Sequence, residues 1–69
     1  MHYADIIAAL TKAAYSQTKI AADCGVTGQA VYQVIRSKNN SSPIARRISE
    51  VTGIPLKQIW PDGRYNQAA

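Results

Sequence analysis

Gly25, which lies between two short helical patterns, is the residue that most constrains how this chain can fold. Before it, apolar residues recur at the spacing of one helix face: Ile20, Ala21 and Cys24. After it, the same kind of spacing returns at Val31, Val34 and Ile35. Glycine enters the left-handed conformation that ends many helices at little steric cost, so we expect Gly25 to end the first helix. Two helices joined by so short a turn must cross steeply, as in a helix-turn-helix unit.

Capping residues indicate where both helices begin. Ser16 precedes the first helix and Thr27 precedes the second, and each hydroxyl can accept a hydrogen bond from a free backbone N–H. Val26, between Gly25 and Thr27, is expected to be a buried anchor. The second helix is therefore predicted to begin at Gly28.

The second helix has an unusual outer face. Gln29, Gln33 and Arg36 stand at i, i+4 and i+7, with Tyr32 beside them and Gly28 at the helix start. A face that meets only solvent would more often mix glutamate and lysine. Glutamine amides suit adenine and arginine suits guanine, so this face could read base edges in a DNA major groove. The alternative is a polar surface helix without a partner, and the turn geometry and charge pattern favour DNA.

Charge is distributed unevenly along the sequence. The formal net charge is +4, and no acidic residue occurs between Asp23 and Glu50. Four basic residues fall inside that window: Arg36, Lys38, Arg46 and Arg47. A positive patch over the second motif helix and the loop after it would attract phosphates. Nucleic acid is favoured over a membrane because no basic amphipathic helix with bulky apolar residues is present.

The length and the spacing of apolar residues predict an all-α fold. A chain of 69 residues has room for one small domain, which buries about 60% of the surface of its unfolded chain. No β-branched run alternates at period two, so we expect a compact bundle of about five short helices, with the helix-turn-helix at helices 2 and 3. Residues 1–61 are expected to form this domain and residues 62–69 a short tail. No strand pair is predicted after the second motif helix, which disfavours a winged variant.

Three further helices surround the motif in this prediction. The first covers about residues 4–14. The fourth covers about residues 43–52, with Ser42 as its cap and a proline at its first position. A short fifth helix begins at Pro55 and brings Trp60 into the core.

No catalytic, metal or cofactor site is predicted. Cys24 is the only cysteine and is expected to be a small core residue, so no internal disulfide can form. The lone His2 has no partner with which to bind a metal. The acids are scattered and no phosphate-binding glycine loop is present, so we expect neither an enzyme nor a small-molecule ligand. With no signal peptide and no membrane-spanning stretch, a cytoplasmic protein is expected.

The stretch from Gln17 to Arg36 resembles the helix-turn-helix of the lambda-repressor-like phage superfamily. The shared pattern is an alanine in the middle of the first helix, a glycine at the turn, and apolar residues at Ile20, Cys24, Val26, Val31 and Val34. More narrowly, the chain resembles the Ner family of small phage regulatory proteins. That likeness lies in the opening Ala-Asp-Ile-Ile-Ala-Ala-Leu and the close Ile-Trp-Pro followed by Arg-Tyr.

The resemblance to Ner implies a repressor of early phage transcription that binds double-stranded DNA operators near its own promoter. Members of the superfamily bind as dimers or pairs, so a homodimer on half-sites about one helical turn apart is a further expectation. The alternative is a protein-binding module, such as an antirepressor or adaptor, that has this fold without its own DNA target. The polar outer face and its acid-free surroundings count against that alternative.

In the predicted DNA interface, the helix that begins at Gly28 enters the major groove. Gln29 and Gln33 contact base edges, and Tyr32 and Arg36 contact bases or adjacent phosphates. The start of the first motif helix can hold a phosphate through its backbone N–H groups. The predicted interface residues are Gln17, Thr18, Thr27, Gly28, Gln29, Tyr32, Gln33, Arg36, Lys38, Asn39, Asn40 and Arg46. Gly28 departs from the superfamily habit of a contacting side chain at its position, which would permit a closer approach.

Overall fold

The computed structural model describes residues 1–61. These residues contain no strand and form five helices: α1 (Tyr3–Lys12), α2 (Gln17–Cys24), α3 (Gly28–Ile35), α4 (Ser42–Thr52) and α5 (Leu56–Ile59). The prediction of an all-α bundle with the helix-turn-helix at its second and third helices is confirmed. None of these helices has the length and apolar character needed to cross a membrane. The predicted tail, residues 62–69, lies outside the described residues.

One core joins the five helices. Its buried side chains are all apolar: Ile6, Leu10, Ile20, Ala21, Val31, Val34, Ile35, Ile44, Ala45, Ile48, Ile59 and Trp60. The spacing of apolar residues predicted the members of this set that belong to α2 and α3, namely Ile20, Ala21, Val31, Val34 and Ile35. Burying each large aliphatic side chain contributes about 1.5–3 kcal/mol, so the core holds α2 and α3 in a fixed orientation. The predicted burial of Trp60 is confirmed, with 4% of its surface exposed.

The turn between α2 and α3 has the predicted left-handed glycine. Gly25 has φ 68° and ψ 33°. Its N–H donates to the carbonyl of Ala22 at 3.3 Å, and the N–H of Val26 donates to the carbonyl of Ala21 at 2.9 Å. This pair of bonds is a Schellman motif, which satisfies carbonyls that the end of α2 would otherwise leave open.

Both predicted caps of the motif helices are confirmed. The Ser16 hydroxyl accepts a hydrogen bond from the Lys19 N–H at 3.1 Å. The Thr27 hydroxyl accepts one from the Ala30 N–H at 3.2 Å. Each cap satisfies one backbone donor in the first turn of its helix, and together they fix where α2 and α3 begin.

The prediction that Val26 is a buried anchor is wrong. Its side chain is 40% exposed, and it does not belong to the apolar residues that pack against the core. The backbone hydrogen bond to Ala21 fixes this position instead. The turn therefore needs no side-chain anchor here, and Val26 adds an apolar surface group beside the start of α3.

Some helix boundaries differ from the predicted ones. The first helix ends at Lys12 because Ala14, with φ 57°, adopts the left-handed conformation. The fourth begins one residue early, at Ser42, so its N-cap is Ser41 and the cap predicted at Ser42 is wrong. Pro43 is still accommodated because the N–H groups in the first turn of a helix have no carbonyl partner, so a proline there removes no helix hydrogen bond. These differences leave the motif helices unchanged.

Candidate nucleic-acid interface

α3 is buried on one face and open on the other. Val31, Val34 and Ile35 are each at most 1% exposed and tie the helix to the core. On the other face Gln29 is exposed, Tyr32 is 40% exposed, and Gln33 is half-buried. No residue from Gly28 to Ile35 carries a charge. The open face therefore presents hydrogen-bonding amides and a phenol.

The start of α3 has bare backbone at its surface. Gly28 is exposed and stands at the first helical position, directly after the Thr27 cap. A Cβ added at Gly28 would meet no atom within 4 Å, and its backbone is helical. Neither packing nor backbone conformation in the described residues thus requires glycine here. The absent side chain does leave room for another molecule to approach the helix end.

Arg36, at the C-cap of α3, is held by aromatic side chains. Its guanidinium carbon lies 4.1 Å from the ring centre of Tyr3 and 5.8 Å from that of Tyr32. Its Nη1 donates to the Tyr32 hydroxyl at 3.1 Å. The ring of His2 lies 4.4 Å from that of Tyr3, centre to centre. Sequence reasoning missed Tyr3, because spacing along one helix does not show which side chain from another helix meets its end.

Arg47 belongs to a separate network that joins α4 to α2. Its Nε donates to a carboxylate oxygen of Asp23 at 3.0 Å, its Nη1 to Glu50 at 3.2 Å, and its Nη2 to the Tyr15 hydroxyl at 2.9 Å. The Tyr15 hydroxyl in turn donates to Asp23. Asp23 and Glu50, the acidic residues at the two ends of the acid-free window, are thus the partners of Arg47. Arg47 is therefore paired within the protein and adds less to the positive patch than the sequence predicted.

These contacts shift the protonation of both charged partners. The hydrogen bond from Tyr15, together with the hydrogen bond and positive charge of Arg47, holds the pKa of Asp23 below its ordinary value. The bonds to Tyr15, Glu50 and Asp23 raise the pKa of Arg47 above its ordinary value. Asp23 therefore stays ionised and Arg47 stays charged at neutral pH, and their charges compensate each other within the protein.

The other predicted polar residues lie at the surface, in three places. Thr18 is exposed and Gln17 half-buried at the start of α2. The exposed residues Lys38, Asn39 and Asn40 lie in the loop between α3 and α4, separated from the end of α3 by two residues. The exposed Arg46 is on α4, and its side chain forms no ion pair with another described residue. None of the predicted interface residues is buried.

A family model described as winged helix-turn-helix DNA-binding matches residues 1–69. The chain belongs to this family. No curated protein and no solved structure matches it. Although the description names a wing, α3 is followed by a loop and α4, and residues 1–61 include no strand. The protein is a helix-turn-helix DNA-binding domain, and DNA is its partner.

Helix-turn-helix DNA-binding domains share one way of docking on DNA. In a helix-turn-helix DNA-binding domain, the second motif helix lies in the major groove while the first crosses the backbone. These are α3 and α2 in this chain. Among the described residues, no three histidine, cysteine or acidic side chains converge on a point that could hold a metal. The roles of single residues in contacting DNA stay predictions.

Proposed function

We propose that this protein is a sequence-specific transcriptional regulator of phage or prophage type, related to Ner, that binds double-stranded operator DNA in the bacterial cytoplasm. It represses early promoters or its own promoter by occupying operators near them. The observation that carries the proposal is the outer face of α3. This helix is anchored by buried residues on one side and presents two glutamines and a tyrosine on the other, without a charge of its own.

The two glutamines are spaced to read base pairs about two steps apart. Gln29 and Gln33 are four residues apart, which is about 6 Å along a helix. Bases on one strand are about 3.4 Å apart along the DNA axis, so the two amides reach sites about two base pairs apart. Each amide can donate to and accept from one adenine edge. Gly28 lets the start of the helix come close to the DNA because no side chain stands there.

Phosphate contacts hold the domain in register. The N–H groups of Gln17 and Thr18 stand in the first turn of α2, where a helix offers them no carbonyl. The Thr27 hydroxyl accepts from Ala30 but keeps its own proton to donate. The loop residues Lys38, Asn39 and Asn40 supply further donors, as does Arg46. These contacts provide affinity for any duplex, whereas the amides provide the choice of sequence.

The size of the domain suits paired binding. Its principal dimensions are 28 × 22 × 20 Å. Half-sites one helical turn apart are separated by about 34–36 Å. Two copies can therefore occupy successive turns on one side of the duplex as a homodimer or as adjacent monomers.

A protein-binding role is the second candidate because two apolar side chains are exposed within the motif. Val26 and Tyr32 are each 40% exposed. An antirepressor or adaptor would use such groups against a protein partner. The same groups suit DNA, where an apolar side chain can contact a thymine methyl group.

Selection of bound sequences from a random duplex pool, followed by a salt titration on the selected site, tests the proposal. We expect one motif to be enriched, and we expect log affinity to fall linearly with log salt at a slope of about −0.9 per neutralised phosphate. A reporter promoter that carries the selected site should be repressed. Salt-dependent binding without enrichment would contradict sequence-specific regulation. The absence of any DNA binding would favour the protein-binding role.

A further inference from the structure

Arg36 stands where a recognition helix leaves the groove. Recognition helices contact base edges with their N-terminal residues. Arg36 is the C-cap of α3 and follows Gln29 by seven positions, which is about 10 Å along the helix axis. A side chain at this end lies closer to the rim of the groove than to its floor. The DNA backbone, rather than a base edge, is the group nearest to such a position.

The guanidinium of Arg36 is held between aromatic side chains and enters no ion pair among the described residues. The group lies on Tyr3, 4.1 Å from the ring centre, well within the range of about 6 Å for a cation–π contact. One of its N–H groups donates to Tyr32. None of the ion pairs formed within residues 1–61 involves Arg36. Arg47, by contrast, is bound by two carboxylates.

Tyr3 is itself fixed by the start of α1. It is the first residue of that helix, and the preceding His2 accepts the N–H of Ala4 through its Nδ1 at 3.1 Å. The His2 ring also lies beside the Tyr3 ring, with 33° between their planes. The His2 ring and the capped start of α1 restrict the Tyr3 ring, so the arginine that rests on it loses little further freedom on binding.

We propose that Tyr3 is a positioning residue for DNA binding. It holds the guanidinium of Arg36 flat so that its remaining N–H groups form a fork for one backbone phosphate at the rim of the groove. Guanidinium groups bind phosphate oxygens through two parallel hydrogen bonds when their plane is set correctly. This inference rests on the proposed function and extends the interface from the motif to the start of α1. It also assigns Arg36 to a phosphate and leaves base reading to the glutamines.

A double-mutant cycle tests the coupling. Tyr3→Leu, Arg36→Ala and the double variant are measured by fluorescence anisotropy against the selected operator and against random duplex, each after thermal unfolding shows that it is folded. We expect Arg36→Ala to weaken binding to both duplexes about tenfold and to reduce the salt slope by about one unit. Tyr3→Leu should weaken both by about two- to fivefold, the range of an exposed cation–π contact. In the Arg36→Ala background, Tyr3→Leu should have no further effect.

Two conservative variants separate positioning from a general structural role. Tyr3→Phe keeps the ring and should retain the binding of the parent. Arg36→Lys keeps the charge but not the planar fork, so it should preserve the salt slope and yet bind both duplexes more weakly than the parent. These variants also keep the test valid if a harsher substitution fails to fold.

Several results would overturn the inference. Unchanged binding in Tyr3→Leu would show that the ring does not position Arg36. An equal loss with and without Arg36 would show that Tyr3 acts independently of it. A loss confined to the operator in Arg36→Ala would make Arg36 a base-contacting residue. If the parent bound no DNA, the proposed function itself would fail, whereas the other three results leave that function intact.

Discussion

Gly25 and Gly28 should respond in opposite directions to the same substitution by alanine. At both positions an added Cβ would meet no atom within 4 Å, so crowding does not distinguish them. Their backbones differ. Gly25 has φ 68°, in the left-handed region, whereas Gly28 is the first residue of α3. The pair therefore isolates the effect of backbone conformation within one short segment.

The magnitudes follow from two opposing effects. Alanine in the left-handed conformation destabilises the folded state by about 1–2 kcal/mol. The same substitution reduces the conformational freedom of the unfolded chain, which stabilises the folded state by about 0.4–1 kcal/mol. Gly25→Ala should thus reduce the free energy of unfolding by about 1 kcal/mol, which lowers Tm by about 4–8 °C in a domain of this size. Gly28→Ala has no such strain and should increase the free energy of unfolding by about 0.5–1 kcal/mol.

Thermal unfolding of both variants, paired with DNA binding, is the assay. If DNA approaches the start of α3 as proposed, Gly28→Ala should be more stable than the parent and yet bind the operator more weakly. Equal destabilisation by both substitutions would refute the backbone argument. A stabilised Gly28→Ala with unchanged affinity would instead show that DNA does not need the space left by this glycine.

Two further predictions concern the core and the network around Arg47. Trp60→Ala should reduce the free energy of unfolding by about 3–5 kcal/mol because it empties a buried site. In the same urea titration, Lys57→Ala, a change at an exposed residue, should alter the free energy of unfolding little. Similar unfolding curves for both variants would contradict the core position of Trp60. The pKa of Asp23 is lowered in the folded protein, so its contribution to stability is present above the pKa of the unfolded chain and is lost as pH falls through the folded pKa. As the pH falls below the ordinary pKa of an aspartate, about 4, the parent should therefore lose more stability than Asp23→Asn. Parallel losses in the two proteins would show that the network does not act through this carboxylate.

The motif could be predicted from the sequence because its signals are local. The cap at Ser16, the glycine at the turn and the cap at Thr27 each act on backbone groups within five positions. The buried face of α3 follows from helical spacing alone. Val26 shows the limit of this reasoning. An apolar residue beside a turn suggests burial, but a backbone hydrogen bond holds this one while its side chain stays in solvent.

Contacts between distant parts of the chain could not be predicted in this way. Arg47 and Asp23 are 24 positions apart in the sequence. A count of the charges in one stretch of sequence does not show that two such distant residues form an ion pair. The structure pairs them, so the positive surface available to DNA is smaller than the sequence suggests. Tyr3 and Arg36 meet for the same reason, because α1 and α3 pack against one core. Helical periodicity shows which face is buried but not which side chains meet across it.

The central claim is that side chains of α3 contact base edges, whereas the surrounding cations contact the phosphate backbone of the DNA. The most direct measurement is the ratio of the affinities of Gln33→Ala for operator and for random duplex. Gln58→Ala, which changes an exposed glutamine of α5, is the matched control. Gln33→Ala should lose about 1–3 kcal/mol of operator binding and almost none of random binding. Lys38→Ala and Arg46→Ala should weaken both alike and flatten the salt slope by about one unit each. An equal loss for both duplexes in Gln33→Ala would contradict base reading by α3.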